Sequence, residues 1–227
     1  MLVKLGQLKA HEMADSESMQ KDSADSFVDP ASKRFVIAML GGECTGKTAL
    51  AQSLAGELGL PYLAEVLRDF VDQHQRAPRH SEQADVLRLQ CQQIEAALAR
   101  LRPLASGPLL ICDASPWMTA IYSLQYFNDP EQFAQAQAMM LRLAKHYRFR
   151  WLHFHCADDI AWQADGLQRE GPEHRARSRA IVEQYPPLAD HQEHAQLALL
   201  SGPLQDRLRD AGAALDAQAG RAKRRTV

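Results

Sequence analysis

No apolar run in this chain approaches the ~20 residues that a helix needs to cross a bilayer, so a membrane-spanning segment is not expected. The N-terminus has no continuous apolar stretch of the kind a secretory signal carries. Four cysteines occur, Cys44, Cys91, Cys112 and Cys156, and none forms a CxxC pair. That disfavours a disulfide framework or a zinc ribbon and points to reduced thiols, two of them within apolar strands, in a cytoplasmic protein. Net charge is -2, which gives no global attraction to nucleic acid. The basic run "RAKRR", Arg221 to Arg225, reads as a solvated tail. No Asn-Lys-x-Asp occurs, so guanine-specific GTP hydrolysis is disfavoured. His153 and His155 share one face of a strand, but no Cys or His at matching spacing accompanies them, so they are read as structural. There is no internal repeat.

What the sequence does contain is an alternation of short apolar runs and helical stretches. Residues 1–32 are polar and without a sustained period, and are read as a flexible leader. Residues 33–218 are read as one domain and 219–227 as a basic tail. "RFVIAML" is a short, continuous apolar run rich in strand formers, which suits a strand buried on both faces. A helix is expected over about Gly46 to Leu58, with Leu50, Leu54 and Leu58 at i+4 spacing. "GLPYLAE" reads as a second strand ending at Glu65. Ser81 to Leu101 reads as a long helix. "GPLLICD" is a third strand, "RWLHFHC" a fourth and "HAQLALL" a fifth. Helices are expected over about Trp117 to Leu124 and Pro130 to Tyr147, and again after the fifth strand. The alternation predicts an α/β domain with a parallel five-stranded sheet flanked by helices.

Between the first strand and its helix stands "GGECTGKT", Gly41 to Thr48. The spacing G-x-x-x-x-G-K-[ST] is met by Gly41, Gly46, Lys47 and Thr48. In such a loop the glycines let the backbone wrap a phosphate with inward N–H groups, and the helix adds its positive end. The loop residues Gly41, Gly42, Glu43, Cys44, Thr45, Gly46, Lys47, Thr48 and Ala49 are the candidate ATP cradle. Lys47 would reach the β- and γ-phosphates, and the Thr48 hydroxyl would ligate Mg²⁺. Asp113, ending the third strand, is the second candidate for Mg²⁺, facing the same crevice.

Three further features point from nucleotide binding towards phosphoryl transfer. Glu65 and Arg68 in "AEVLRDF" lie one helical turn apart on the acceptor side. A carboxylate there can take a hydroxyl proton as the acceptor attacks the γ-phosphate, and Arg68 can bind a polar part of the acceptor. The segment "ADGLQREGPEHRARSR", Ala164 to Arg179, reads as an Arg-rich lid, with Arg169, Arg175, Arg177 and Arg179 as candidates to cover the transferring phosphate. Trp117 is the preferred aromatic for stacking on an acceptor ring, ahead of Tyr122 and Tyr126.

The stretches "GGECTGKTAL", "AEVLRDF", "LLICDASPW" and "AWQADGLQREG" together resemble the NadR-type ribosylnicotinamide kinase domain, a P-loop family grouped with AAA-type ATPases. The resemblance spans about Arg34 to Gln218. It implies Mg-ATP-dependent phosphorylation of a ribosyl hydroxyl, nicotinamide riboside becoming its mononucleotide. It further implies that Glu65 contacts or deprotonates the acceptor, that Asp113 holds the metal, and that Asp165 with Arg169 begins the lid. Ser201, Gly202 and Pro203 fall where such kinases cradle adenine. Two positions depart from the family pattern: Cys44 stands in place of a serine, and Ser115 in place of a second aspartate after Asp113. The length leaves no room for the helix-turn-helix and nucleotidylyltransferase domains of a full NadR, so a stand-alone kinase-like module is expected. The partner is then a small-molecule nucleoside. The other class left open is a regulatory ATPase that reports its nucleotide to a protein partner.

Overall fold

A computed structural model describes residues 34–101, 106–163 and 171–218. The leader and the basic tail lie outside the described residues. The first run forms β1 (Arg34–Leu40), and α1 (Lys47–Leu58) follows the glycine loop. Then come β2 (Tyr62–Leu63), α2 (Val66–His74), a 3-10 turn (His80–Glu82) and α3 (Gln83–Arg100). β3 (Gly107–Cys112) leads to α4 (Pro116–Phe127) and α5 (Glu131–Tyr147). β4 (Arg150–Cys156), α6 (Pro172–Gln184), β5 (Ala195–Leu200) and α7 (Leu204–Gln218) complete the order.

All five strands run parallel, in the order β2-β3-β1-β4-β5. Because successive side chains of a strand point to opposite faces, an unbroken apolar run feeds two cores at once. From β1, Val36, Ala38 and Leu40 join one core with Leu87 and Ile94 of α3, Ile121 of α4 and Met140 of α5. Phe35, Ile37 and Met39 join the other, with Leu50 and Leu54 of α1 and Ala211 of α7. Helices therefore cover both faces of the sheet, as the expected fold class requires. No described helix is long and apolar enough to cross a membrane.

Parallel pairing brings the carboxyl ends of all strands to one edge of the sheet, where ligands of open α/β folds bind. The loop after β1, Glu65 after β2, Asp113 after β3 and the turn after β5 all emerge there.

Several boundaries differ from the sequence expectation. α1 starts at Lys47, because Gly46 holds a left-handed φ of 81° and sits at the cap. β2 is only two residues long, and Glu65 is the cap of α2 rather than a strand end. The expected helix from Ser81 is split into the 3-10 turn and α3. The start of α4 follows from local chemistry. Ser115 caps it by accepting a hydrogen bond from the Trp117 N–H, and Pro116 supplies a first residue that needs no amide donor.

Candidate functional site

The loop after β1 is packed closely on its neighbours. Gly41 has φ 131°, and a Cβ there would lie 2.8 Å from the Cys156 carbonyl oxygen. Gly42 is hemmed in from the other side, since a Cβ would meet the Arg175 Cα at 2.9 Å. Only glycine fits either place. Thr45 is buried and its hydroxyl donates to the Gly42 carbonyl at 2.9 Å, closing the loop on itself. Lys47 is also buried, and its ammonium donates to the carbonyls of Gly41 and Gly42 at 2.9 and 2.8 Å. The ammonium is thus folded back over the loop, beside the concave face on which a phosphate would sit.

Thr48 and Asp113 meet, as expected. The Thr48 hydroxyl donates to Asp113 Oδ2 at 2.8 Å, and the Tyr62 hydroxyl donates to the same oxygen at 2.9 Å. Asp113 Oδ1 is buried and has no hydrogen-bond partner. A carboxylate oxygen buried without a partner calls for one, since leaving it so is costly. Mg²⁺ suits the arrangement: it takes hard oxygen donors and needs few from the protein, with waters and phosphate oxygens completing its shell. Tyr62 is pushed well above the ordinary phenol range by burial and by the Asp113 charge, so it stays a donor to that carboxylate.

Glu65 is 7% exposed. Burial raises its carboxyl above the ordinary 4.5; the Lys47 charge pulls it down and the Asp113 charge pushes it up again. Arg68 lies one turn on, its guanidinium 3.8 Å from Glu65 Oε2 and 3.4 Å from the Thr48 hydroxyl. Glu65, Arg68, Lys47 and Thr48 line a single cavity of about 760 Å³. The cavity is also lined by Tyr122, Tyr126 and Phe127 of α4, and by Arg79 and Gln83 before and at the start of α3.

Trp117 does not belong to this wall. Its ring is 4% exposed, packs 5.0 Å from Phe133, and donates its indole N–H to the Tyr185 carbonyl at 2.9 Å. The expectation that it stacks on an acceptor ring is therefore corrected: it is a core residue. Five residues further on, Tyr122 faces the cavity instead.

The arginine candidates divide. Asp165 and Arg169 lie outside the described residues. Arg175 of α6 donates to the Ile160 carbonyl at 2.8 Å and to the Cys44 carbonyl at 3.3 Å, so α6 rests directly on the phosphate loop. Arg179 is turned to Asp158 at 2.8 Å. Cys44 accepts the Gln163 N–H at its sulfur, 3.2 Å away, which ties the segment after β4 to the same loop. Glu43 accepts a 3.4 Å hydrogen bond from the Tyr126 hydroxyl, and Ala49 is exposed at the start of α1. Ser201, Gly202 and Pro203 form the turn between β5 and α7. The Gly202 N–H donates to Asp159 Oδ2 at 2.5 Å, and the Gly202 carbonyl accepts from Arg207 at 2.7 Å.

Arg207 was not anticipated from the sequence. It is 2% exposed, and its guanidinium donates to the carbonyls of Thr45, Gly202 and Ala157 and to the Asp159 carboxylate. One side chain thereby joins the phosphate loop to the ends of β4 and β5. A signal was present: on α7, position 207 lies in phase with the apolar stripe of Leu204, Leu208 and Ala211 that packs on the core, where an arginine needs a full set of acceptors. Tyr62 and Gln83 carried no motif-level signal at all.

The family model described as "AAA domain" matches residues 36–207. Among solved structures, NadR protein in complex with NAD and AMP-PNP is 17% identical with a TM-score of 0.55, covering 86% of this chain and 52% of that one. NadR protein in complex with NR is 18% identical with a TM-score of 0.56, covering 86% and 54%. Thymidylate kinase from Candida albicans is 10% identical with a TM-score of 0.52, covering 84% and 93%. The chain spans about half the length of the NadR chains it matches. No curated protein sequence matches significantly. At these identities the likeness is one of fold, a P-loop kinase fold.

Proposed function

Since the chain belongs to the AAA-domain family of P-loop proteins, we propose that it is an ATP-dependent small-molecule kinase. The acceptor is a ribosyl hydroxyl, nicotinamide riboside being the first candidate. One observation carries the reading. A buried carboxylate, Glu65, lines the same cavity as the phosphate-loop Lys47 and the Thr48 hydroxyl, which is bonded to Asp113. A carboxylate at that place can take the proton of a hydroxyl that attacks the γ-phosphate.

In this reading the loop N–H groups and Lys47 bind the phosphates of ATP and hold them in line with the acceptor. Thr48 and Asp113 would hold Mg²⁺, which when bound would neutralise charge on the β- and γ-phosphates. The acceptor hydroxyl oxygen forms a bond to the γ-phosphorus while the bond from that phosphorus to the β–γ bridging oxygen breaks. Glu65 takes the hydroxyl proton, and ADP leaves with the bridging oxygen. Raised by burial, the Glu65 carboxyl is a stronger base than an exposed one, which suits this task. Arg68 steadies the hydroxyl end of the acceptor. Arg175, with Arg169 and Asp165 of the preceding segment, would form the lid over the transferring phosphate, and Ser201 to Pro203 would flank adenine. Such a kinase would work in the cytoplasm.

A second reading rests on the contact between α6 and the loop. Arg175 bonds the Cys44 carbonyl and its backbone leaves no room beyond Gly42. A phosphate filling the loop would bear on α6, so the nucleotide state could be reported to a protein partner.

Incubation of the protein with Mg-ATP and a panel of ribosides, with products followed by mass, separates the two. A riboside that gains one phosphate in wild type and not in Lys47→Ala supports the kinase. ADP release with no phosphorylated riboside favours the switch.

A further inference from the structure

Gln83 opens α3 and is 4% exposed, yet its amide makes no hydrogen bond among the described residues. It lines the cavity that also holds Lys47 and Glu65. The amide atoms are not sealed in the interior but open to the cavity, so they take their hydrogen bonds from what fills it. The surroundings say what that is. Val71 of α2 is 3% exposed and Tyr122 of α4 is 7% exposed, and both line the same space, giving it an apolar and an aromatic wall. Burial keeps the Tyr122 hydroxyl protonated far beyond neutral pH, so this wall brings no charge.

The position along the cavity matters as well. α4 begins just after Asp113 and runs 12 residues to Phe127. At 1.5 Å per residue that is about 18 Å, and near its end the Tyr126 hydroxyl still reaches Glu43 of the phosphate loop at 3.4 Å. Phe127 stacks on His80 at 5.2 Å, which brings the turn before Gln83 to that far end. Glu65 and Gln83 thus line one cavity, where an acceptor's hydroxyl would meet the first and its ring the second.

We propose that Gln83 is the specificity-determining residue for the acceptor's ring, and that the ring is flat and carries a hydrogen-bond donor and acceptor side by side. A glutamine amide presents one of each and pairs with such an edge in two bonds. A carboxamide on a pyridine ring and the amino edge of adenine share this chemistry. The assignment rests on the kinase reading for the identity of the site, but its test does not rest on turnover.

The experiment is calorimetric titration of the whole protein with two matched pairs: nicotinamide riboside against N-ribosylpyridinium, and adenosine against purine riboside. The amide- or amino-bearing member of one pair is expected to bind at least about tenfold more tightly. In Gln83→Leu that ratio falls to about one. Gln83→Glu, of equal size, loses the donor and lowers affinity for the same member, and retained binding of the other member in both variants shows that they are folded. Which pair discriminates identifies the ring. Equal binding within both pairs, an unchanged ratio in Gln83→Leu, or no binding by any of the four overturns the assignment. A parallel phosphotransfer assay keeps the two ideas apart. A ratio that depends on Gln83 without any phosphorylated product sinks the kinase reading and leaves the Gln83 assignment standing. Phosphorylated product with no such ratio does the reverse.

Discussion

Arg207 donates through its guanidinium to the carbonyl oxygen of Thr45, across 162 residues of chain. The same group holds Gly202, Ala157 and Asp159. The curvature of the phosphate loop is therefore anchored from behind by the last helix. Lysine offers a charge but no planar fork, so it cannot serve these acceptors together. Arg207→Lys should cost about 2–4 kcal/mol of stability, through carbonyls left unpaired in the interior. It should also raise the KM for ATP more than it lowers kcat, because the loop binds phosphate through its shape. Urea unfolding and ATP kinetics check both halves.

Asp113→Asn keeps the shape but removes the charge that faces the Thr48 hydroxyl. The Mg²⁺ concentration giving half-maximal activity should rise about 10- to 100-fold. ATP binding measured without Mg²⁺ should change far less. An unaltered Mg²⁺ titration would remove Asp113 from the metal site.

Glu65 leads to a pH dependence with a definite sign. Its carboxyl titrates above the ordinary 4.5, chiefly through burial. It acts as a base only when ionised, so kcat/KM should fall as pH drops through that raised pKa, on the alkaline side of a normal carboxylate. Glu65→Gln should lower turnover about 10²- to 10⁴-fold and abolish this acid limb. Nucleotide affinity, read by equilibrium binding, should survive.

His153 controls stability rather than turnover. It is fully buried, and burial lowers its pKa from 6.5 to about 3. The unfolded chain binds the proton near 6.5 and the folded chain does not. Stability from this group is therefore complete above about pH 6.5 and is lost as pH falls towards 3, at about 1.4 kcal/mol per pH unit. Replacing His153 with phenylalanine should flatten the acid side of a plot of Tm against pH between 6.5 and 5, even if it lowers Tm at pH 8.

The distance between reading and structure varies along the chain for physical reasons. The glycine loop was legible because its chemistry is local: Gly41 and Gly46 take backbone angles that few residues tolerate, and Lys47 and Thr48 follow at fixed spacing. The strands were legible because parallel burial on both faces demands unbroken apolar runs such as "RFVIAML". Asp113 was legible as the end of such a run. Trp117 was misread because a helix turns 100° per residue, and only packing decides which turn faces the cavity. It points to Phe133 and Tyr185, leaving Tyr122 for the cavity wall.

Local sequence was thus enough for the class of fold, the phosphate loop and the acids expected around it, since backbone sterics, apolar periodicity and short fixed spacings are written in neighbouring residues. The tertiary structure alone brought Tyr62 to Asp113, Arg207 to Thr45 and Gln83 to the cavity of Lys47. Those pairings depend on strand order and helix rotation, which arise from the packing of the whole chain and not from any stretch of it.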